Sequence, residues 1–135
     1  MKKISESSIQ QSAFLWLNNN HGLKHHSPRL YMFSIPNESI LLMASILKGY
    51  RVPDSIVNKS SSIVLDKVKS TGMRNGVPDT IVLLPNRILF CEFKTEIGNQ
   101  STKQREFQLI VESLGRKYYI VRNLEHFKEV ILKNI

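Results

Sequence analysis

The chain has 135 residues, 41% hydrophobic and 22% charged, which is room for one compact domain and too little for a two-domain enzyme. Nineteen Lys and Arg against eleven Asp and Glu leave a formal charge of +8, the surplus expected of a chain that meets a polyanion, nucleic acid first among them. Its one cysteine, Cys91, excludes an internal disulfide and a cysteine-based zinc site and fits a reducing compartment.

Met1, Lys2 and Lys3 imitate the start of an export signal, but Ser5, Glu6, Ser7 and Ser8 stand where its apolar segment belongs, so no export is expected. Ser5 caps a first helix in which Ile9, Ala13, Trp16 and Leu17 share one face, stopping at Asn18, Asn19, Asn20 and Gly22. In the loop that follows, His21, His25 and His26 match no zinc spacing and read as solvated. Residues 30–35 have strand composition, and Pro36 ends them. Ser39 caps a second helix through Leu47, with Gly49 past its end. Its apolar run, residues 40–47, falls far short of the ~20 residues that span a bilayer, so a soluble protein without membrane contact is expected. Residues 60–69 read as a third helix stopped by Gly72.

Two β-rich stretches, residues 80–84 and 88–94, flank Pro85, Asn86 and Arg87, the composition of a hairpin turn. Ser101 and Gln104 make an S-x-x-Q capping box ahead of Phe107, Ile110, Val111 and Leu114 at helical spacing, and Gly115 stops that helix. Residues 118–121 form a last strand, in which at least one of Tyr118 and Tyr119 belongs to the core. Asn123 caps a terminal helix with Phe127, Val130 and Ile131 on one face. The predicted order is αβααββαβα, an α/β fold whose mixed sheet of about four strands carries helices on both faces.

The segment GVPDTIVLLPNRILFCEFK, residues 76–94, places Asp79, Glu92 and Lys94 on one hairpin. With the turn on Pro85 and Asn86, Asp79 lies opposite Glu92, their Cβ atoms roughly 4.5–5.5 Å apart. Pro85-Asn86 is a poor type I′ pair, so a loop about one or two residues longer, with a shifted register, is the alternative. Strand alternation puts Lys94 on the face of Glu92, and Cys91 and Phe93 on the other. Two ionised carboxylates about 5 Å apart repel by roughly 3 kcal/mol at an effective dielectric near 20, so something must neutralise them. Lys94 alone would make this a charged hairpin end of little consequence. A divalent cation is the other solution, since Mg²⁺ takes one or two carboxylates plus water and phosphate oxygens. That assembly is a phosphodiesterase site, in which Lys94 would position the attacking water and offset transition-state charge.

Pro78-Asp79, a short hairpin and Glu92-Phe93-Lys94 resemble the PD-(D/E)XK nuclease signature. Around them stand Glu6 and Gln10 at the start of the first helix, Pro36-Asn37, Gly72-x-x-x-Gly76-x-Pro78-Asp79, and Gly98, Ser101 and Gln104. With these, nearly the whole chain is similar to the virus-type replication-repair nuclease family (VRR-NUC), in the short form found in phages and bacteria. The resemblance implies a restriction-endonuclease-like (PD-(D/E)XK) fold over residues 1–135, with an insertion around 39–58. It implies Mg²⁺ or Mn²⁺ held by Asp79, Glu92 and the backbone carbonyl of Phe93, with Glu6 reaching the metal through water. Lys94 takes the place of the catalytic lysine, and Gln104 that of a glutamine lining the site. Glu6 and Gln104 also have plainer readings: a first-turn acid complementing the helix dipole, and the closing arm of the capping box. Two departures, the 39–58 segment and Thr80 where an aliphatic residue is usual, leave the metal site intact and bear on the DNA-binding surface. The added segment could gate a cleft, join subunits or simply pack on the sheet.

The implied activity is that of a structure-specific DNA endonuclease on branched DNA such as Holliday junctions, in replication, recombination or repair. The implied state is a homodimer, matching a two-fold junction, in the cytoplasm of a bacterium or a phage-infected host. Arg74, Lys103 and Arg105 are the expected DNA contacts, with Lys69, Arg116, Lys117 and Arg122 as further phosphate candidates. Two other readings stand beside this one: a noncatalytic nucleic-acid-binding module of the same fold, and a restriction or defence nuclease cutting ordinary duplex.

Overall fold

A computed structural model describes residues 3–35 and 39–135. The expected strand stop at Pro36, the Pro36-Asn37 part of the motif and the Met1-Lys2 start lie outside the described residues. The elements are α1 (Glu6–Leu17) continued by a π-helical turn (Asn18–Gly22), β1 (Tyr31–Ser34), α2 (Ser39–Gly49), α3 (Asp54–Ser70), β2 (Thr80–Leu84), β3 (Arg87–Phe93), α4 (Thr102–Ser113), β4 (Lys117–Val121) and α5 (Leu124–Asn134). Apart from the π turn, this is the order read from the sequence. The chain forms two compact units, residues 1–35 with 76–135, and residues 36–75.

In the first unit the sheet order is β1-β2-β3-β4, with the first two pairings antiparallel and β3-β4 parallel. Pro85 and Asn86 alone make the hairpin turn: Leu84 pairs with Arg87 and Thr80 with Cys91, so the longer loop is not formed. The alternation pins this register, because a one-residue slip would turn Val82, Leu84, Leu89 and Cys91 out of the core. Consequently β3 starts at Arg87 and ends at Phe93, one position before the expected span at each end. Ile9, Ala13 and Leu17 of α1 and Phe127, Val130 and Ile131 of α5 pack with Met32, Val82, Leu89, Cys91, Phe93 and Val121 into one core. Burial pushes the Cys91 thiol up to about 12, so it behaves as a small apolar side chain. On the opposite face α4 sets Phe107 edge-on to Phe90 of β3, ring centroids 6.0 Å apart.

Ser5 caps α1 as expected, its hydroxyl accepting the Ser8 N–H. The asparagine run does not stop the helix but widens it, and Asn20 Nδ2 donates to the Trp16 carbonyl at 2.8 Å. His21 meets Trp16 edge-on, and His26 Nδ1 accepts the Leu23 N–H at 2.9 Å, so these histidines hold the loop together.

The second unit is built on α2 and α3. Helix α3 starts at Asp54 rather than Ser60, because Pro53, with φ −54°, is already set for a helix entry and Asp54 favours the positive end of the dipole. Helix α2 extends through Gly49, and Arg51, at φ 61°, turns the chain toward Pro53. Leu41, Leu42, Met43 and Ile46 of α2 are exposed. Among the described residues no helix is long and apolar enough to cross a membrane.

Candidate active site

The end of the hairpin away from its turn gathers the chemistry. Asp79, just before β2, is tied to both neighbouring strands: its carbonyl accepts the Ile35 N–H at 2.8 Å and its Oδ2 accepts the Phe93 N–H at 2.7 Å. That second bond is what a register with Asp79 opposite Glu92 delivers. The next residue, Thr80, points to the core face and is fully buried. Its hydroxyl is tolerated there because Oγ1 donates to the Cys91 carbonyl at 3.2 Å.

Glu92 points from β3 to the α4 face, its side chain only 1% exposed. Oε1 accepts from Lys94 Nζ at 3.0 Å and from Gln104 Nε2 at 2.5 Å. Oε2 is buried and has no hydrogen-bond partner among the described residues. Burial first, and the negative charge of Asp79 second, push the Glu92 pKa up to about 7, against the pull of Lys94. The Lys94 side chain is 11% exposed. Burial works to lower its pKa, but the hydrogen bond and charge of Glu92, then Glu6 and Asp79, outweigh it and hold Lys94 above its ordinary value. At neutral pH Lys94 is therefore an ammonium group, a donor and not a base.

Glu6, in the first turn of α1, stands at the rim: its Oε2 is 3.8 Å from Lys94 Nζ and its side chain is 45% exposed. Gly98 leaves it room, since a Cβ there would sit 3.2 Å from Glu6 Oε1. For Gln104 the two sequence readings merge. Its Oε1 accepts the Ser101 N–H at 2.8 Å, closing the capping box, and this orients Nε2 onto Glu92.

The expected DNA contacts belong to both units. Lys103 and Arg105 are exposed on α4, Lys103 pairing with Glu106 at 3.2 Å, while Arg74 belongs to the other unit. Gly76, at φ 84°, lets the chain run tightly against α4, because a Cβ there would strike the Lys103 carbonyl. Arg122 is engaged within the chain: its Nη1 donates to the carbonyls of Thr95 and Gly98 at 2.5 and 2.9 Å. Tyr118, unassigned from sequence beyond core packing, shares the Glu92 face of the sheet, since Phe90 pairs with Tyr118 and Glu92 with Ile120. Its hydroxyl is buried, and burial first, then the charge of Glu92, raises its pKa.

Among the described residues no three His, Cys, Asp or Glu side chains form a group that could hold a metal ion. A hard cation such as Mg²⁺ or Mn²⁺ needs less, taking one or two carboxylates and keeping its waters. Asp79 with the unpartnered, buried Oε2 of Glu92 fits that demand, and the lack of His or Cys donors does not fit zinc.

No protein-family model and no curated protein matches the chain. A solved structure does: one described as a VRR_NUC domain protein superimposes with a TM-score of 0.68, covering 100% of this chain and 91% of that one at 18% sequence identity. The fold implied by the sequence resemblance, a restriction-endonuclease-like mixed sheet flanked by helices, is the fold observed.

Proposed function

We propose that the chain is a member of the VRR-NUC family and acts as a metal-dependent, structure-specific DNA endonuclease on branched DNA. One observation carries this reading: Glu92 is buried, with Oε2 unpartnered among the described residues, beside Asp79 and a protonated Lys94. A hairpin-end ion pair of no consequence would be solvated, and side chains 1% and 11% exposed are not.

Asp79, Glu92 and the Phe93 carbonyl would hold a divalent cation, which would supply Lewis acidity toward a phosphate oxygen and lower the pKa of water. The rest is done by the chain. Asp79 is fixed by the Phe93 N–H, and Glu92 is held through Oε1 by Gln104 and Lys94, which leaves the buried Oε2 without a hydrogen-bond partner among the described residues. Lys94, kept charged, offers N–H donors to the negative charge that grows on the phosphate in the transition state. Glu6 balances Lys94 from the solvent side and can orient water at the rim. The +8 charge supplies sequence-independent affinity for the strand, with Lys103, Arg105 and Arg74 as phosphate contacts. A homodimer belongs to the same proposal, two sites matching the two-fold symmetry of a four-way junction. The exposed Leu41, Leu42 and Met43 of α2 support an association surface.

The test is a panel of labelled four-way junctions, flaps, single strands and linear duplex with Mg²⁺ or Mn²⁺. Junctions or flaps should be cut, and Asp79→Ala and Lys94→Ala should bind them without cutting. Wild-type cleavage by either variant sinks the site assignment, and no cleavage of any substrate by the wild type sinks the endonuclease. Equal cutting of linear duplex would replace branched DNA with an ordinary-duplex nuclease. Sedimentation equilibrium should find two copies per particle, and a monomer at the assay concentration removes the dimer.

A further inference from the structure

Arg122 directly follows β4 and brings its charge to the end of the sheet where Lys94 lies. One nitrogen, Nη1, donates to the carbonyls of Thr95 at 2.5 Å and Gly98 at 2.9 Å and faces that of Glu96 at 3.3 Å. The three carbonyls belong to one turn, residues 95–98, closed by the Gly98 N–H on the Thr95 carbonyl at 3.1 Å. Asn123 Nδ2 meets the Glu96 carboxylate at 3.4 Å from the same side. The turn leaves β3 immediately after Lys94, whose N–H is bonded at 3.0 Å to the carbonyl of Val121, the residue before Arg122. Its other flank is Gly98, where a Cβ would lie 3.2 Å from both Glu6 Oε1 and Thr95 Oγ1. The turn that Arg122 holds therefore leaves little room for a side chain between Gly98 and Glu6, and Glu6 in turn lies 3.8 Å from Lys94 Nζ.

We infer that Arg122 is a positioning residue: by gathering three carbonyls it shapes the 95–98 turn into the wall that holds Glu6 beside Lys94. Carbonyl oxygens turned toward one point repel, and the two N–H groups of a cationic Nη1 offset that repulsion by bonding Thr95 and Gly98 and facing Glu96. Lysine would bring a charge on a shorter, unbranched stem. The kinetic arm of the test rests on the nuclease reading, and the exchange arm does not.

Arg122→Met and Arg122→Lys are compared with the wild type in the full chain. With the DNA that the wild type cuts, Arg122→Met should lower kcat about tenfold and leave KM unchanged, and Arg122→Lys should restore part of the loss. A rise in KM at constant kcat, with the slope of log affinity against log salt reduced by about one, would make Arg122 a phosphate contact and overturn the inference. Unchanged kcat and KM overturn it as well. Independently of cleavage, the Gly98 amide should exchange its hydrogen faster in Arg122→Met than in the wild type, and equal rates refute the clasp even if no DNA is cut. Gly98→Ala presses on the same turn from the Glu6 side without touching Arg122. Its effect on kcat should fall short of multiplying with that of Arg122→Met, and full multiplicativity counts against a shared turn.

Discussion

On β3, Leu89, Cys91 and Phe93 turn toward α1 and α5, whereas Phe90 and Glu92 turn toward α4. At the Phe93 end both faces are dry, yet their chemistry is opposite. Burying a phenylalanine stabilises a fold by roughly 2–3 kcal/mol, while burying a carboxylate with an unpartnered oxygen costs stability that Lys94 and Gln104 only partly offset. In a domain whose whole stability is about 5–15 kcal/mol, the second arrangement is a weakness in the fold. Burial by itself thus says nothing of a residue's use. The partners do: one face is closed by its own packing, and the other keeps a buried acceptor with no partner among the described residues.

The widest separation between the faces is expected from Lys94→Met. With the stem retained and the ammonium gone, cleavage should fall about 10³-fold, or ~4 kcal/mol in the barrier, while the circular-dichroism spectrum keeps its wild-type shape; the urea midpoint should fall as well, because the buried Glu92 loses its charged partner. A variant that cuts normally would remove the ammonium from the chemistry. Phe93→Ala, one residue away on the other face, should lower stability and spare the chemistry. Losing a fully buried ring beside Phe127 costs roughly 3–4 kcal/mol of unfolding free energy, and activity should fall only as the folded fraction falls. A soluble, folded Phe93→Ala protein with a wild-type urea midpoint would mean that the apolar face is not the stabilising one.

A pH series sharpens the comparison next. Glu92 has its pKa raised from 4.5 to about 7, so over that window the native state holds a proton that the unfolded chain has already released. Stability is therefore full below the lower value and declines as pH rises toward the upper one, by ~1.4 kcal/mol per unit and roughly 3 kcal/mol in all. Lys94, its pKa raised, stays charged throughout and adds no slope. Urea midpoints measured in EDTA should show this decline in the wild type and lack it in Glu92→Gln. Parallel curves for the two proteins would refute the buried, proton-holding acid.

The apolar face was legible in the sequence because its rule is local: alternation in Val82, Leu84, Leu89, Cys91 and Phe93, and helical spacing in Phe127, Val130 and Ile131, each point one way. The same alternation set the hairpin register, and with it the placement of Asp79, Glu92 and Lys94, because one tight turn links them. Helix α3 starts at Asp54 rather than at residue 60, because its N-cap, Pro53, works through a fixed φ and makes no side-chain cap for the sequence to announce. Tyr118 and the role of Arg122 stayed hidden for another reason. They lie on or beside β4, which reaches β3 through α4 as a parallel strand, and no turn in the sequence states the register of such a pair. Glu6 comes from the far end of the chain, and only the family resemblance brought it to the site before the fold did.

The smallest effect is expected at Thr80, a polar residue on the apolar face and the neighbour of Asp79. Its hydroxyl donates to the Cys91 carbonyl within the strand pair Thr80–Cys91, so it serves the sheet and not the site. Thr80→Val exchanges that hydroxyl for a methyl of similar shape in a pocket lined by apolar neighbours. The hydrogen bond is worth about 1 kcal/mol net, and the added apolar burial recovers a similar amount, so the unfolding free energy should move by less than ~1 kcal/mol in either direction. Cleavage and Mg²⁺ dependence should not move, because Asp79 keeps its bonds to Ile35 and Phe93. If Thr80→Val instead slows cleavage at unchanged stability, the boundary between the faces does not lie in the plane of the sheet, and the core side of β2 helps to aim the Asp79 carboxylate.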